Sequence, residues 1–162
     1  MNSELRNILN ECSSELDDIE QRIDQLKVFD KESKYLTCYA LIKACGTAEF
    51  VYRSIIADYF AKFQDDKIDQ YIDNTVRKGS MSATYDNMLK LLQKFDDNWS
   101  KKFKQAIKDN SDGNKLIESA KSLVNNRHLF AHGRIPTATF LDIKGYYINI
   151  VKLIDIFDET VC

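Results

Sequence analysis

Both histidines of the chain stand within Val124-Asn125-Asn126-Arg127-His128-Leu129-Phe130-Ala131-His132-Gly133, and an arginine directly precedes the first. On a helix, His128 and His132 lie about 40° apart around the axis, one turn above the other. Arg127 is offset by about 100° from His128, so the three side chains can line one broad edge. Three chemistries fit this spacing. The imidazoles can pack against or cap a helix C-terminus, where a cationic group is favoured. An i, i+4 histidine pair can bind zinc, but it needs further ligands, and the sequence holds no third histidine and no clustered cysteines. The third is phosphodiester chemistry without a metal. An arginine fork matches phosphate oxygens and stays charged, while histidine moves protons near neutral pH. RNA carries its own nucleophile. A base removes the 2′-hydroxyl proton, that oxygen attacks the adjacent phosphate, and cationic donors stabilise the developing charge. The products are a 2′,3′-cyclic phosphate and a free 5′-hydroxyl, and DNA, lacking the 2′-hydroxyl, survives.

The charge around this stretch suits an anionic substrate. Residues 98–134 contain eight lysines and arginines, Lys121 and Arg134 among them, against three acids, although the whole chain has a net charge of −2. A locally basic segment attracts phosphate, and a merely solvated lysine face would look the same.

The elements that must position the motif read as helices throughout. With 162 residues, 44% hydrophobic and 30% charged, the chain is expected to form one domain over residues 1–162 with a continuous core. Five glycines and one proline leave little to break long helices. From Ser3 to Val28, the residues Leu5, Leu9, Cys12, Leu16, Ile19, Ile23 and Leu26 alternate spacings of four and three, a narrow stripe that fits a bundle or a coiled-coil seam. From Lys34 to Phe63 the sequence is apolar over most of a helix circumference. It is predicted to be the central element, with Lys43, Thr47, Glu49, Arg53 and Asp58 as polar exceptions to be explained. Shorter amphipathic pieces carry Ile68, Tyr71, Ile72 and Val76, then Tyr85, Met88, Leu91, Leu92 and Phe95 from near Ser82, then Trp99, Phe103 and Ile107. A motif helix is predicted from Asn114 to His132, ended by Gly133 and Pro136. A final helix starts at Thr139, where Asp142 completes a Thr-x-x-Asp capping box. No stretch alternates with a period of two long enough for a strand. The fold class is all-α, a helical bundle of about five to seven helices with two long helices at the N-terminus.

Cys12, Cys38, Cys45 and Cys162 show no CxxC pair. The first three are expected to be small buried hydrophobes, and Cys162 a terminal thiol open to adventitious cross-linking. No apolar run approaches the ~20 residues of a membrane span, and the first residues lack a signal-peptide pattern, which points to a cytoplasmic protein.

Arg127-His128-Leu129-Phe130-Ala131-His132 resembles the Arg-polar-x-x-x-His motif of the HEPN superfamily, with His128 at the polar position. The helical bundle, the motif near the end of a late helix and the Gly/Pro loop before one closing helix agree with it. Ala44-Cys45-Gly46-Thr47-Ala48-Glu49-Phe50 looks like the second helix of the RiboL-PSP-HEPN branch, where small residues precede an acid. The resemblance implies a HEPN-like up-and-down core and a metal-independent endoribonuclease needing no cofactor, of the kind found in toxin–antitoxin, restriction and anti-phage systems. It also implies a homodimer whose two motifs form one composite site on RNA, with an antitoxin or defence protein as a further partner. Carried over, Arg127 would bind the scissile phosphate, His132 would be the general base or acid, and His128 would position the phosphate. Glu49 would orient Arg127 or a histidine, its alternative being an i, i+4 ion pair with Arg53. Asn126 would support the site, and Lys121 and Arg134 would hold RNA. Some HEPN domains instead serve as non-catalytic modules that bind a partner protein.

Overall fold

The computed structural model describes residues 1–26, 31–63 and 65–161; among them the chain forms seven α-helices and one π-helical turn, and no strand. Helix α1 (Ser3–Asp24) opens on Asn2, whose side chain accepts from the Leu5 amide at 2.8 Å. Its stripe of Leu5, Leu9, Cys12, Leu16 and Ile19 is buried against α2 (Lys31–Ala61) and α7 (Phe140–Thr160), so it joins the bundle rather than a coiled coil. The helix ends before the expected Val28, which lies outside the described residues. The Gln25 amide shares the carbonyls of Arg22 and Ile23, tightening the last turn.

Helix α2 starts three residues before the expected Lys34 and stops at Ala61 instead of Phe63. It packs on α1, α3, the π turn, α6 and α7, and Ala40, Leu41, Ala44, Ala48, Val51 and Ile56 are fully covered. Its first turns depart from the enclosed helix that the sequence suggested. Tyr35, Tyr39 and Ile42 are exposed there, because α1 covers only one side. The polar exceptions find partners or burial: Lys43 meets Glu15 at 2.6 Å, Asp58 meets Arg77 at 2.5 Å and Asn2 at 2.7 Å, and Thr47 is buried.

Helix α3 (Asp66–Ile72) runs straight into a π-helical turn, Asp73–Arg77, where the Lys78 amide reaches back five residues to the Asp73 carbonyl at 2.9 Å. The sequence reads as one amphipathic piece here. The π turn keeps Ile72 and Val76 buried while placing Arg77 between Asp58 and Asp73. At the exit, a Cβ on Gly79 would lie 2.5 Å from the Thr75 carbonyl oxygen, so only glycine permits this close crossing.

Helices α4 (Tyr85–Phe95) and α5 (Asp97–Asp109) meet at Asp96, which ends the first and caps the second. Helix α6 (Gly113–Ala131) and α7 make the closing pair, joined in the interior by Asn149 Nδ2 donating to Ser119 Oγ at 2.9 Å. Helix α7 also holds α1. The Tyr147 hydroxyl donates to the Leu9 carbonyl at 3.0 Å, Arg6 pairs with Asp155 at 2.5 Å, and Lys144 bridges Asp17 and Glu20. Tyr52, Phe157, Phe103 and Tyr85 form a chain of ring contacts at 5.5–5.8 Å through the core. Such pairs contribute about 0.5–1.5 kcal/mol each beyond the area they bury. The buried side chains make one contiguous core.

Cys12 and Cys45 are buried as expected for small hydrophobes, but Cys38 is only half-buried, since it falls in the less covered start of α2. Cys162 lies outside the described residues. No described helix is long and apolar enough to cross a membrane.

Candidate active site

The motif occupies the last turn of α6 and the corner after it. Ala131 is the final helical residue, His132 is the C-cap and Gly133 takes φ +70°, the left-handed conformation that ends a helix. The Gly133 amide donates to the Phe130 carbonyl at 3.0 Å and the Arg134 amide to the Leu129 carbonyl at 2.8 Å, the paired bonds of a Schellman motif.

Asn126, buried in the same helix, fixes the path of the chain beyond this corner. Its Nδ2 donates to the Ser122 carbonyl at 2.9 Å. Its Oδ1 accepts from the Thr137 amide at 2.8 Å, the Ala138 amide at 2.9 Å and the Thr137 hydroxyl at 3.3 Å. The next residue, Thr139, caps α7 in a full capping box with Asp142. The hydrogen bonds from Thr139 hold the Asp142 carboxyl below its usual range. The loop between the histidines and the closing helix is therefore pinned at both ends.

Arg127 points the other way, toward α2. Its Nη2 donates to Glu49 Oε1 at 2.5 Å and to Ser82 Oγ at 2.9 Å. Both charged side chains are half-buried, with 25% and 18% of their surface exposed, enough shielding to strengthen the pair beyond a surface ion pair. Glu49 makes no ion pair with Arg53, the alternative its spacing allowed. Arg53 Nε donates instead to the Glu49 backbone carbonyl at 2.7 Å, which leaves the carboxylate to Arg127. Among the described residues, Nη2 alone of the three guanidinium nitrogens donates to an oxygen, and the Cys45 thiol lies within hydrogen-bonding reach of the same guanidinium.

Ser82 was not singled out for the site by the sequence. It sits in the segment between the π turn and α4, which the Tyr52 hydroxyl anchors at the Met81 carbonyl (2.9 Å) and Asn87 Nδ2 at the Ser82 carbonyl (3.0 Å). Its sequence signal was its place near the start of the amphipathic piece that carries Tyr85, Met88 and Leu91. Beneath the cluster, the Cys45 thiol lies 3.7 Å from the Leu123 carbonyl and is pushed up to about 12 by burial. The Glu49 charge pushes the same way and Arg127 opposes it.

The two imidazoles stand apart from this cluster. His128 and His132 are exposed, and neither side chain has a hydrogen bond or ion pair among the described residues. Lys121 and Arg134 are exposed on the same helix and corner. The fold thus brings Arg127, Glu49 and Ser82 into contact and leaves both histidines, four residues apart in the chain, open to solvent. Among the described residues, no group of three or more His, Cys, Asp or Glu side chains is placed to share a metal ion.

A family model described as RiboL-PSP-HEPN matches residues 3–162, nearly the whole chain. No curated protein matches the sequence, and no solved structure does.

Proposed function

The chain belongs to the RiboL-PSP-HEPN family of the HEPN superfamily, and on that premise we propose that it is a metal-independent endoribonuclease. The observation that carries the reading is an arginine held by Glu49 and Ser82 in the same short stretch of chain as two exposed imidazoles without hydrogen-bond partners among the described residues. Arg127 binds the non-bridging oxygens of the scissile phosphate through the N–H groups that Glu49 and Ser82 leave free. His132 moves the proton: the 2′-hydroxyl loses it, O2′ bonds to phosphorus, and the P–O5′ bond breaks as O5′ is protonated. His128 positions the phosphate, and Lys121 and Arg134 hold the flanking backbone. Glu49 orients Arg127, and Asn126 keeps the His132 corner in place. Two copies bring their motifs together across a two-fold axis into one cleft. The setting is a toxin–antitoxin, restriction or anti-phage stress system, with an antitoxin or other defence protein as partner.

Purified protein incubated with RNA in excess chelator, beside a His132→Ala variant, tests this. Cleavage by the first alone, leaving 2′,3′-cyclic phosphate and 5′-hydroxyl ends, is the expected result. Equal cleavage by both, or none by either, refutes it.

A second reading has one observation in its favour: the Arg127 charge is already answered by Glu49 at 2.5 Å, as in a purely structural ion pair. On that reading the chain is a non-catalytic module that binds a partner protein. It predicts intact RNA and a partner complex that survives Arg127→Ala.

A further inference from the structure

One turn beyond Glu49 on α2 lies a second arginine that the reaction does not use. Arg53 is half-buried. Its Nε is bonded to the Glu49 carbonyl, but its Nη1 is buried with no hydrogen-bond partner among the described residues. The nearby acids are committed elsewhere: Glu49 to Arg127, Asp58 and Asp73 to Arg77. Asp69, whose Oδ1 is also buried without a partner, lines a different cavity beside Arg77. A buried guanidinium nitrogen without an acceptor is costly, so this end of α2 holds a charge that the fold itself answers only in part.

Arg53 lines a cavity of about 270 Å³ between α2, the π turn and α4, together with Tyr71, Ser80, Met81, Lys94 and Phe95. The volume falls just under the range of about 300–1,000 Å³ typical of small-molecule pockets. Two cations and a hydroxyl suit a phosphate, and the aromatic and thioether surfaces suit a flat ring. Phosphate and ring together describe a nucleotide. The cavity wall at Ser80 and Met81 continues directly into Ser82, which touches Arg127. On α2, Arg53 and Glu49 are separated by about 6 Å of helix rise.

We propose that this cavity is a subsite for one nucleotide of single-stranded RNA next to the phosphate held at Arg127. Arg53 and Lys94 bind its phosphate, while Tyr71 and Phe95 flank its base. The proposal rests on the nuclease reading and gives that site a preference for unpaired RNA, whose bases are free to enter a pocket.

The test uses a labelled 2′-O-methyl RNA hexamer, which cannot be cleaved, so binding is read independently of catalysis. Wild-type protein is compared with Arg53→Gln, Arg53→Lys and Lys94→Gln, each checked for native helicity. Lys94 is exposed, so its variant folds even if Arg53→Gln does not. The expected result is about tenfold weaker binding for Arg53→Gln and Lys94→Gln, partial recovery in Arg53→Lys, and a salt dependence reduced by roughly one counterion per lost contact. Binding within twofold of wild type for both charge-removing variants overturns the subsite, even if ordinary RNA is cleaved. Arg53-dependent binding with no cleavage of ordinary RNA keeps the subsite and removes the nuclease reading. Uridine 5′-monophosphate bound as tightly as the hexamer would make the cavity a site for a soluble nucleotide and overturn the RNA proposal.

Discussion

Glu49 and Arg127, 78 residues apart in the chain, meet through a 2.5 Å hydrogen bond that sets the direction of the guanidinium. If the carboxylate aims Arg127 at phosphate, Glu49→Gln keeps a hydrogen-bond acceptor but loses the charge that holds the fork. RNA cleavage is then expected to fall by about a hundredfold, the scale of a misplaced reacting group. Single-turnover cleavage rates measure it, and a rate equal to wild type removes Glu49 from the site.

His132 has a sharper expectation. Its replacement by alanine takes away the proton-transfer group, worth about 10²–10⁴ in rate, without touching the core, because the side chain is exposed. The melting temperature should stay within a degree or two of wild type while cleavage disappears. A variant that loses both would mean the residue is structural.

Asn126 gives the opposite pattern. Alanine there takes the acceptor from the Thr137 and Ala138 amides, costing about 1–3 kcal/mol and lowering the melting temperature by roughly 3–10 °C. Thermal unfolding checks this. A shift below one degree would show that the loop does not depend on the side chain.

Buried thiols set the alkaline limit. Burial raises Cys45 from 9.0 to about 12 and moves Cys12 the same way. Between 9.0 and about 12 the folded protein keeps a Cys45 proton that the unfolded chain has lost, so stability falls as pH rises through that window. Tyr52 and Tyr147, also raised by burial, steepen the loss. Unfolding at pH 7 to 10 should show the decline, and Cys45→Ala should flatten it. At pH 8, thiol-specific labelling should reach half-buried Cys38 before Cys12 or Cys45; uniform labelling contradicts this burial.

Thr139→Ala removes one half of the α7 capping box and should cost about 0.5–2 kcal/mol. Denaturant unfolding reads the change, and a neutral substitution would mean the box adds nothing to the first turn of α7.

What could be read from the chain was local. The Leu5-to-Ile19 stripe, the Gly133 stop and the Thr139–Asp142 box depend on residues within a few positions, and each appears where its chemistry put it. The family was legible from the Arg127–His132 spacing together with the run of small residues before Glu49. Other features depend on distant partners. The π turn at Asp73–Arg77 answers to Asp58 on another helix, and Ser82 meets Arg127 only because Tyr52 and Asn87 hold its loop. Asn126 looked like a polar neighbour of the motif, yet its amide faces a loop folded back from eleven residues ahead. Cys38 followed the apolar pattern, but α1 leaves that part of α2 half open.

Glu49, Ser82 and Arg127 belong to three stretches of chain that meet only where side chains interlock around α2. Secondary structure alone cannot rebuild that meeting. A loosened state that keeps its helices but loses its fixed interior would scatter the three groups, so the cluster is a gauge of tight packing rather than of helicity.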